Sequence, residues 1–156
     1  NETDKDTRAK VQAALRNSIR PVLCDGETAG ERTAGETKDI IHDQLLGGLA
    51  NVTSDELSQV IIAYEPVWAI GTGNNALPTD VTEAIASIRH QLKHLYGAKA
   101  ANEVQVLYGG SVTADSAADY LALHEVDGLL VGGASLDANA FTTIVEKAYQ
   151  TARKES

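Results

Sequence analysis

The 156-residue chain holds one cysteine, no methionine, one tryptophan, one phenylalanine and three prolines. With a single thiol no internal disulfide can form, so nothing covalent staples the fold. Basic residues are also few: 13 Lys and Arg face 22 Asp and Glu, a formal net charge of -9, which excludes nucleic acid and anionic membrane as expected partners. No apolar run approaches the ~20 residues that span a bilayer. The first residues, Asn1-Glu2-Thr3-Asp4-Lys5-Asp6, lack the charged-then-apolar order of a signal peptide and read as an abrupt start, as if cut from something longer. A soluble, cytoplasmic protein is expected. What is present is ordinary globular composition, 43% apolar and 22% charged, with enough length for one core.

Short apolar runs recur at Pro21-Val22-Leu23-Cys24, Val60-Ile61-Ile62-Ala63-Tyr64, Val104-Gln105-Val106-Leu107-Tyr108 and Gly128-Leu129-Leu130-Val131. Each reads as a parallel strand, buried and apolar on both faces. Between them lie segments with helical spacing: Ile41, Leu45 and Leu49; Val81, Ile85, Ile88, Leu92 and Leu95; Ala117, Ala118 and Leu121. Asp80 with Glu83 resembles a capping box, Thr113 suits an N-cap, and Gly97 marks a stop. A helix around Val11, Ala14 and Leu15 precedes the first strand, and one around Phe141, Ile144, Val145 and Ala148 follows the last. The order is α(βα)₄ in a single domain over 1–156. Such alternation gives a parallel sheet with right-handed crossovers, either a doubly wound open sheet or part of a (β/α)₈ barrel. A whole barrel takes about 250 residues and eight strands, so four strands fit half of one. Half a barrel leaves two edges unpaired and an apolar inner face that needs a cover.

Six glycines fall just beyond three strand ends: Gly71 and Gly73, Gly109 and Gly110, Gly132 and Gly133. Ligand sites of α/β folds lie at that rim, and glycine lets backbone N–H groups approach a phosphate. These loops hold no Lys or Arg, so amides would have to carry the anion. Neither a dinucleotide fingerprint nor a P-loop is present. Glu65 directly follows the run ending at Tyr64 and precedes Pro66, which places a carboxylate at the mouth of the sheet. The segment Pro66-Val67-Trp68-Ala69-Ile70-Gly71-Thr72-Gly73 sets an apolar tip between a stiff proline and flexible glycines, the make-up of a closing lid. The histidines, His42, His90, His94 and His124, fall in or beside helices and read as solvated. Cys24 reads as a packed strand residue and not a nucleophile, since no His is placed to activate it. No metal set or cofactor motif emerges.

The run Ala63-Tyr64-Glu65-Pro66-Val67-Trp68-Ala69-Ile70-Gly71-Thr72-Gly73 resembles the signature of the triosephosphate isomerase family. Tyr108-Gly109-Gly110-Ser111 resembles the family's loop after strand seven, and Leu130-Val131-Gly132-Gly133-Ala134-Ser135-Leu136 its phosphate loop after strand eight. Cys24-Asp25-Gly26-Glu27-Thr28 resembles the end of strand five, with Asp25 where a small or apolar residue is expected. The resemblance covers essentially the whole chain and implies the C-terminal half of a (β/α)₈ TIM barrel, holding strands five to eight.

By that resemblance Glu65 is the catalytic base, residues 66–73 are the lid, Gly71, Ser111, Gly132 and Gly133 bind the substrate phosphate, and Tyr108 and Ser111 brace the closed lid. The implied substrates are dihydroxyacetone phosphate and D-glyceraldehyde 3-phosphate, interconverted through an enediolate. This family is itself the standard instance of loop closure over a tuned carboxylate. No cofactor is implied, and family members are homodimers. The family's Asn-x-Lys and Gly-His-Ser-Glu-Arg motifs, whose Lys and His are the electrophiles, are absent from this chain. Inactivity of the chain alone follows, with a missing N-terminal half or self-association covering its open face. Two other classes stay open, a non-catalytic half-barrel serving phosphate binding or assembly and an open-sheet nucleotide binder.

Overall fold

The computed structural model describes residues 2–72 and 74–154. In chain order the elements are α1 (Asp4–Arg16), β1 (Val22–Asp25), α2 (Ala29–Ala34), α3 (Thr37–Gly48), α4 (Ser54–Leu57), β2 (Ile61–Tyr64), a 3₁₀ turn (Val67–Ala69), α5 (Pro78–Glu103), β3 (Gln105–Tyr108), α6 (Ala117–Leu121), β4 (Gly128–Leu129), a second 3₁₀ turn (Gly133–Leu136) and α7 (Ala138–Lys154). The strands form one parallel sheet in the order β1-β2-β3-β4. Cys24 pairs with Ala63 and Ala63 with Leu107, while Asp25 pairs with Tyr64 and Tyr64 with Tyr108. These rungs sort side chains onto two faces.

The two faces differ. Leu23, Ile62 and Val106 form one fully covered row, and Asp25, Tyr64 and Tyr108 form the next. Helices supply the cover: α3 contributes Ile41 and Leu45, and α5 contributes Val81, Ala84, Ile85, Ile88 and Leu92 at helical spacing. Each such Ile or Leu stabilises by roughly 1.5–3 kcal/mol relative to exposure. On the opposite face Val22 is 44% exposed and Cys24 is exposed, while Leu107 is half-buried. Burial is therefore heaviest on the helix side; on the other face Ala63 is buried but its rung neighbours are more open, since among the described residues no further strands close over it, as half a barrel leads one to expect. Cys24 likewise moves from packed to exposed.

Local signals explain most helix ends. Thr3, Thr28 and Thr53 cap α1, α2 and α4, each in a reciprocal box with the acid three residues on, Asp6, Glu31 or Glu56. For α5 the assignment shifts: Pro78 is the first helical residue, and Asp80 is the boxing acid, accepting from the Leu77 N–H at 3.2 Å. Thr113 does not directly precede α6. Its hydroxyl accepts from the Ser116 N–H at 3.1 Å, and Ser116 stands before the helix. Gly97 interrupts α5 with φ of 83°. A second helical stretch follows and delivers Ala101 to the core.

Candidate active site

Glu65 is the residue after β2, where alternation turns its side chain to the open face beside Cys24 and Ala63. Its backbone is fixed by its neighbours. The Glu65 N–H donates to the Asp25 carbonyl at 2.7 Å, and the Gly109 N–H donates to the Tyr64 carbonyl at 2.8 Å. Two glycines make room for it. A side chain at Gly26, whose φ is 155°, would run into the Glu65 carbonyl, and a Cβ at Gly109 would sit 2.7 Å from Glu65 Cγ. The carboxylate thus crosses the floor left by Gly109, half-buried at the mouth of the sheet.

A cleft of about 590 Å³ opens from this point and is lined by Glu65, Ile70, Gly71, Ser111, Gly132 and Gly133, among others. The five phosphate-site and base positions expected from the sequence come from three loops, those after β2, β3 and β4, and all five meet here. Gly71 has φ of 65°, a left-handed conformation suited to glycine. Gly132 and Gly133 open the second 3₁₀ turn, where the Ser135 hydroxyl donates to the Gly132 carbonyl at 2.7 Å. Among the described residues no Lys or Arg lines the cleft. Tyr108 stands elsewhere, fully buried on the helix side against Tyr120, with ring centroids 4.3 Å apart. Its hydroxyl lies beside Tyr120 and the Ala76 backbone, without a well-formed partner among the described residues. Tyr120 in turn donates to the Ala76 carbonyl at 2.9 Å, tying the segment between the lid and α5 to α6.

The lid segment is anchored at one end and exposed at its tip. Val67 and Ile70 are 49% and 46% exposed, whereas Pro66 and Ala69 are buried. Trp68 is half-buried and not a free tip, because its indole N–H donates to Glu27 Oε1 at 3.0 Å. Thr72 closes back on Trp68, its hydroxyl donating to the Trp68 carbonyl at 2.9 Å. Gly73, the last lid position, lies outside the described residues.

Glu27 is the residue that the sequence did not single out. Fully buried, it accepts from the Tyr64 hydroxyl at 3.1 Å, from Trp68 and from Arg32 Nη1 at 3.3 Å. Arg32 lies 4.6 Å over the Trp68 ring and pairs with Asp80 Oδ1 at 2.8 Å. The only signal was a Glu two residues past a strand end, since its partners lie 5, 37 and 41 positions away. Burial, with the Glu27 charge adding to it, pushes the Tyr64 phenol far up, so it serves as a neutral donor. Although Cys24 is exposed, the surrounding chain desolvates its thiol, and with the adjacent Glu65 carboxylate pushes it up to about 12. It is no thiolate nucleophile. His90, His94 and His124 are exposed, and His42 Nδ1 meets Gln91 Oε1 at 2.9 Å between α3 and α5. None of the four lines the cleft.

A parallel β/α sheet with a strand-end carboxylate and glycine loops gathered at the C-terminal rim is the arrangement of a TIM-barrel protein. The family model described as triosephosphate isomerase matches residues 1–148, and the chain belongs to that family. Similar curated relatives, each named triosephosphate isomerase, include those of Caldanaerobacter subterraneus subsp. tengcongensis, 44% identical over 92% of this chain and 58% of the relative. Those of Symbiobacterium thermophilum and Roseiflexus sp. are each 46% identical over 92% of this chain, covering 56% and 57% of the relative. The chain therefore spans somewhat more than half the length of the relatives it matches. Among the described residues no helix is long and apolar enough to cross a membrane.

Proposed function

We propose that this chain is the C-terminal half of a triosephosphate isomerase, one domain over 1–156, and that it contributes the base, the lid and the phosphate grip to a completed barrel in the cytoplasm. The observation that carries the reading is the convergence of Glu65 with Gly71, Ser111, Gly132 and Gly133 on one cleft. Glu65 takes a proton from the carbon beside the carbonyl of dihydroxyacetone phosphate and returns it to the neighbouring carbon, through an enediolate. Amides of the four loop residues hold the phosphate dianion. Closure of residues 66–73 strips water from the carboxylate and shelters an intermediate that would otherwise expel phosphate. The Tyr108 hydroxyl beside Ala76, just past the lid, and Ser111 in the cleft support their roles in bracing the closed lid. Electrophiles for the enediolate oxygens come from the other half of the barrel, and the completed enzyme pairs into a homodimer. The test is reconstitution: with an N-terminal half of a family member supplied, the wild-type chain should restore isomerisation, and Glu65→Gln should remove it.

A second reading is a non-catalytic, self-associating half-barrel. An apolar groove of about 400 Å³ beside β4 and α7, lined by Leu129, Val131, Phe141 and Val145, favours it. Failure of reconstitution together with tight self-association would select it over the enzyme.

A further inference from the structure

Asp25 is a carboxyl in the wrong row. It closes β1 on the helix side of the sheet, level with Tyr64 and Tyr108, at 4% exposure. Neither of its oxygens has a well-formed hydrogen-bond partner among the described residues, its own backbone amide being the one donor close enough to act on it. Burying an unpaired ionised carboxylate costs far more than burying the neutral acid, and among the described residues no cation is placed to offset it. The charged groups around it make that worse. Glu27 follows two residues later with its charge committed to Arg32, Glu65 lies across the strand pair, and Cys24 and Tyr64 are neutral neighbours. From α3 the uncharged Gln44 takes both polar groups of the Gly26 backbone with its amide, His42 is turned to Gln91 of α5, and Lys38, Asp39 and Asp43 are exposed.

The backbone of Asp25 is also what fixes Glu65. Its carbonyl accepts the Glu65 N–H at 2.7 Å, and the following Gly26 packs against the Glu65 carbonyl so closely that no side chain fits between. We propose that Asp25 is a positioning residue for Glu65 that works as the neutral acid: the end of β1 closes on β2 with the proton in place, and opening of that end hydrates the carboxyl and lets the proton go. This rests on the reading of Glu65 as the base, and adds a pH dependence to how firmly the base is held. Burial first, then the Glu27 charge and, more weakly, that of Glu65, raise the Asp25 carboxyl well above the usual range despite an opposing pull from its own backbone amide, in accord with a protonated folded state.

The test is a pH series on the completed barrel, following the Asp25 side-chain carbon and the exchange of the Glu65 amide by NMR. Opening then releases one proton, so Glu65 amide protection, corrected for intrinsic exchange, should fall about tenfold per pH unit from the ordinary carboxylate range up to the Asp25 midpoint and level off beyond it. The Val106 amide in mid-sheet should hold steady, and Asp25→Asn should flatten the Glu65 profile. An Asp25 carbon that titrates near pH 4 overturns the proposal, and needs no variant to be seen. So does a Glu65 profile unchanged in Asp25→Asn, or one shared by Val106, which marks a merely structural residue. These measurements involve no turnover, so they fail separately from the base assignment, which Glu65→Gln kinetics decides.

Discussion

At Glu65 the chain places a carboxylate where backbone bonds on both sides, from Asp25 and through Gly109, leave its main chain no slack. Shortening the side chain by one carbon moves the carboxylate without touching the phosphate loops. In a reconstituted barrel Glu65→Asp should therefore lower kcat far more than it raises KM, and a variant with near-full kcat removes Glu65 from the role. Asp25→Val tests the neighbouring carboxyl through stability. Replacing a buried unpaired polar group by an apolar one of similar size should stabilise by about 1–3 kcal/mol in urea unfolding. The sign with pH follows from its direction: a carboxyl raised on folding stabilises fully below the unfolded range, and that contribution is lost as pH rises to its own midpoint. The gain from Val should accordingly grow between mildly acidic and neutral pH, and a gain that shrinks over that interval would contradict a protonated Asp25. Glu65 was legible in the sequence because it follows an apolar run and precedes a proline. Glu27 was not, because the groups that make it a hub, Tyr64, Trp68 and Arg32, converge only once β1, β2 and α2 are in place.

Among the elements, the lid carries the sharpest expectation. Its tip exposes Val67 and Ile70, while Trp68 and Thr72 hold its ends through Glu27 and a local turn. Exposed apolar side chains on a loop need something to meet on closing. Limited proteolysis of the free protein should cut between Pro66 and Gly73, and a triose phosphate analogue should suppress the cut. Equal cleavage with and without ligand would contradict a closing lid. The four strands and the long helices were readable from apolar runs and helical spacing, but the short helices α2 and α4 were not, since neither is long enough to show a period. Their signal lay in the boxes Thr28-x-x-Glu31 and Thr53-x-x-Glu56. Backbone hydrogen bonds from those threonines hold both glutamates below the usual carboxylate range. Stability from a lowered acid is present above the unfolded range and lost as pH falls, so both helix starts should fray on acidification, which amide exchange at Glu31 and Glu56 would detect.

For the whole molecule the decisive feature is the uncovered side of the sheet. β1 and β4 are both edges, and parallel strands of this composition are ordinarily covered on both faces. Val22 and Ile19 are 44% and 61% exposed at one edge, and Phe141 and Val145 are 42% and 51% exposed near the other. Apolar area left in water forgoes roughly 25 cal/mol per Å², and the unpaired edge amides and carbonyls add to the loss. A domain stable by only about 5–15 kcal/mol has little margin for such exposure. The 156-residue chain by itself should therefore associate or partly unfold in solution, and light scattering with circular dichroism can follow both. It should also fail to turn over glyceraldehyde 3-phosphate, because its four histidines lie off the cleft and, among the described residues, no Lys or Arg lines it. Oxyanion stabilisation would be missing, and the loss of one such donor alone typically costs about 10²–10³ in rate. A compact, fully folded monomer would show that the open face is tolerated. Turnover by the purified chain would show that Glu65 and the loop amides suffice, and would place the electrophile within these 156 residues.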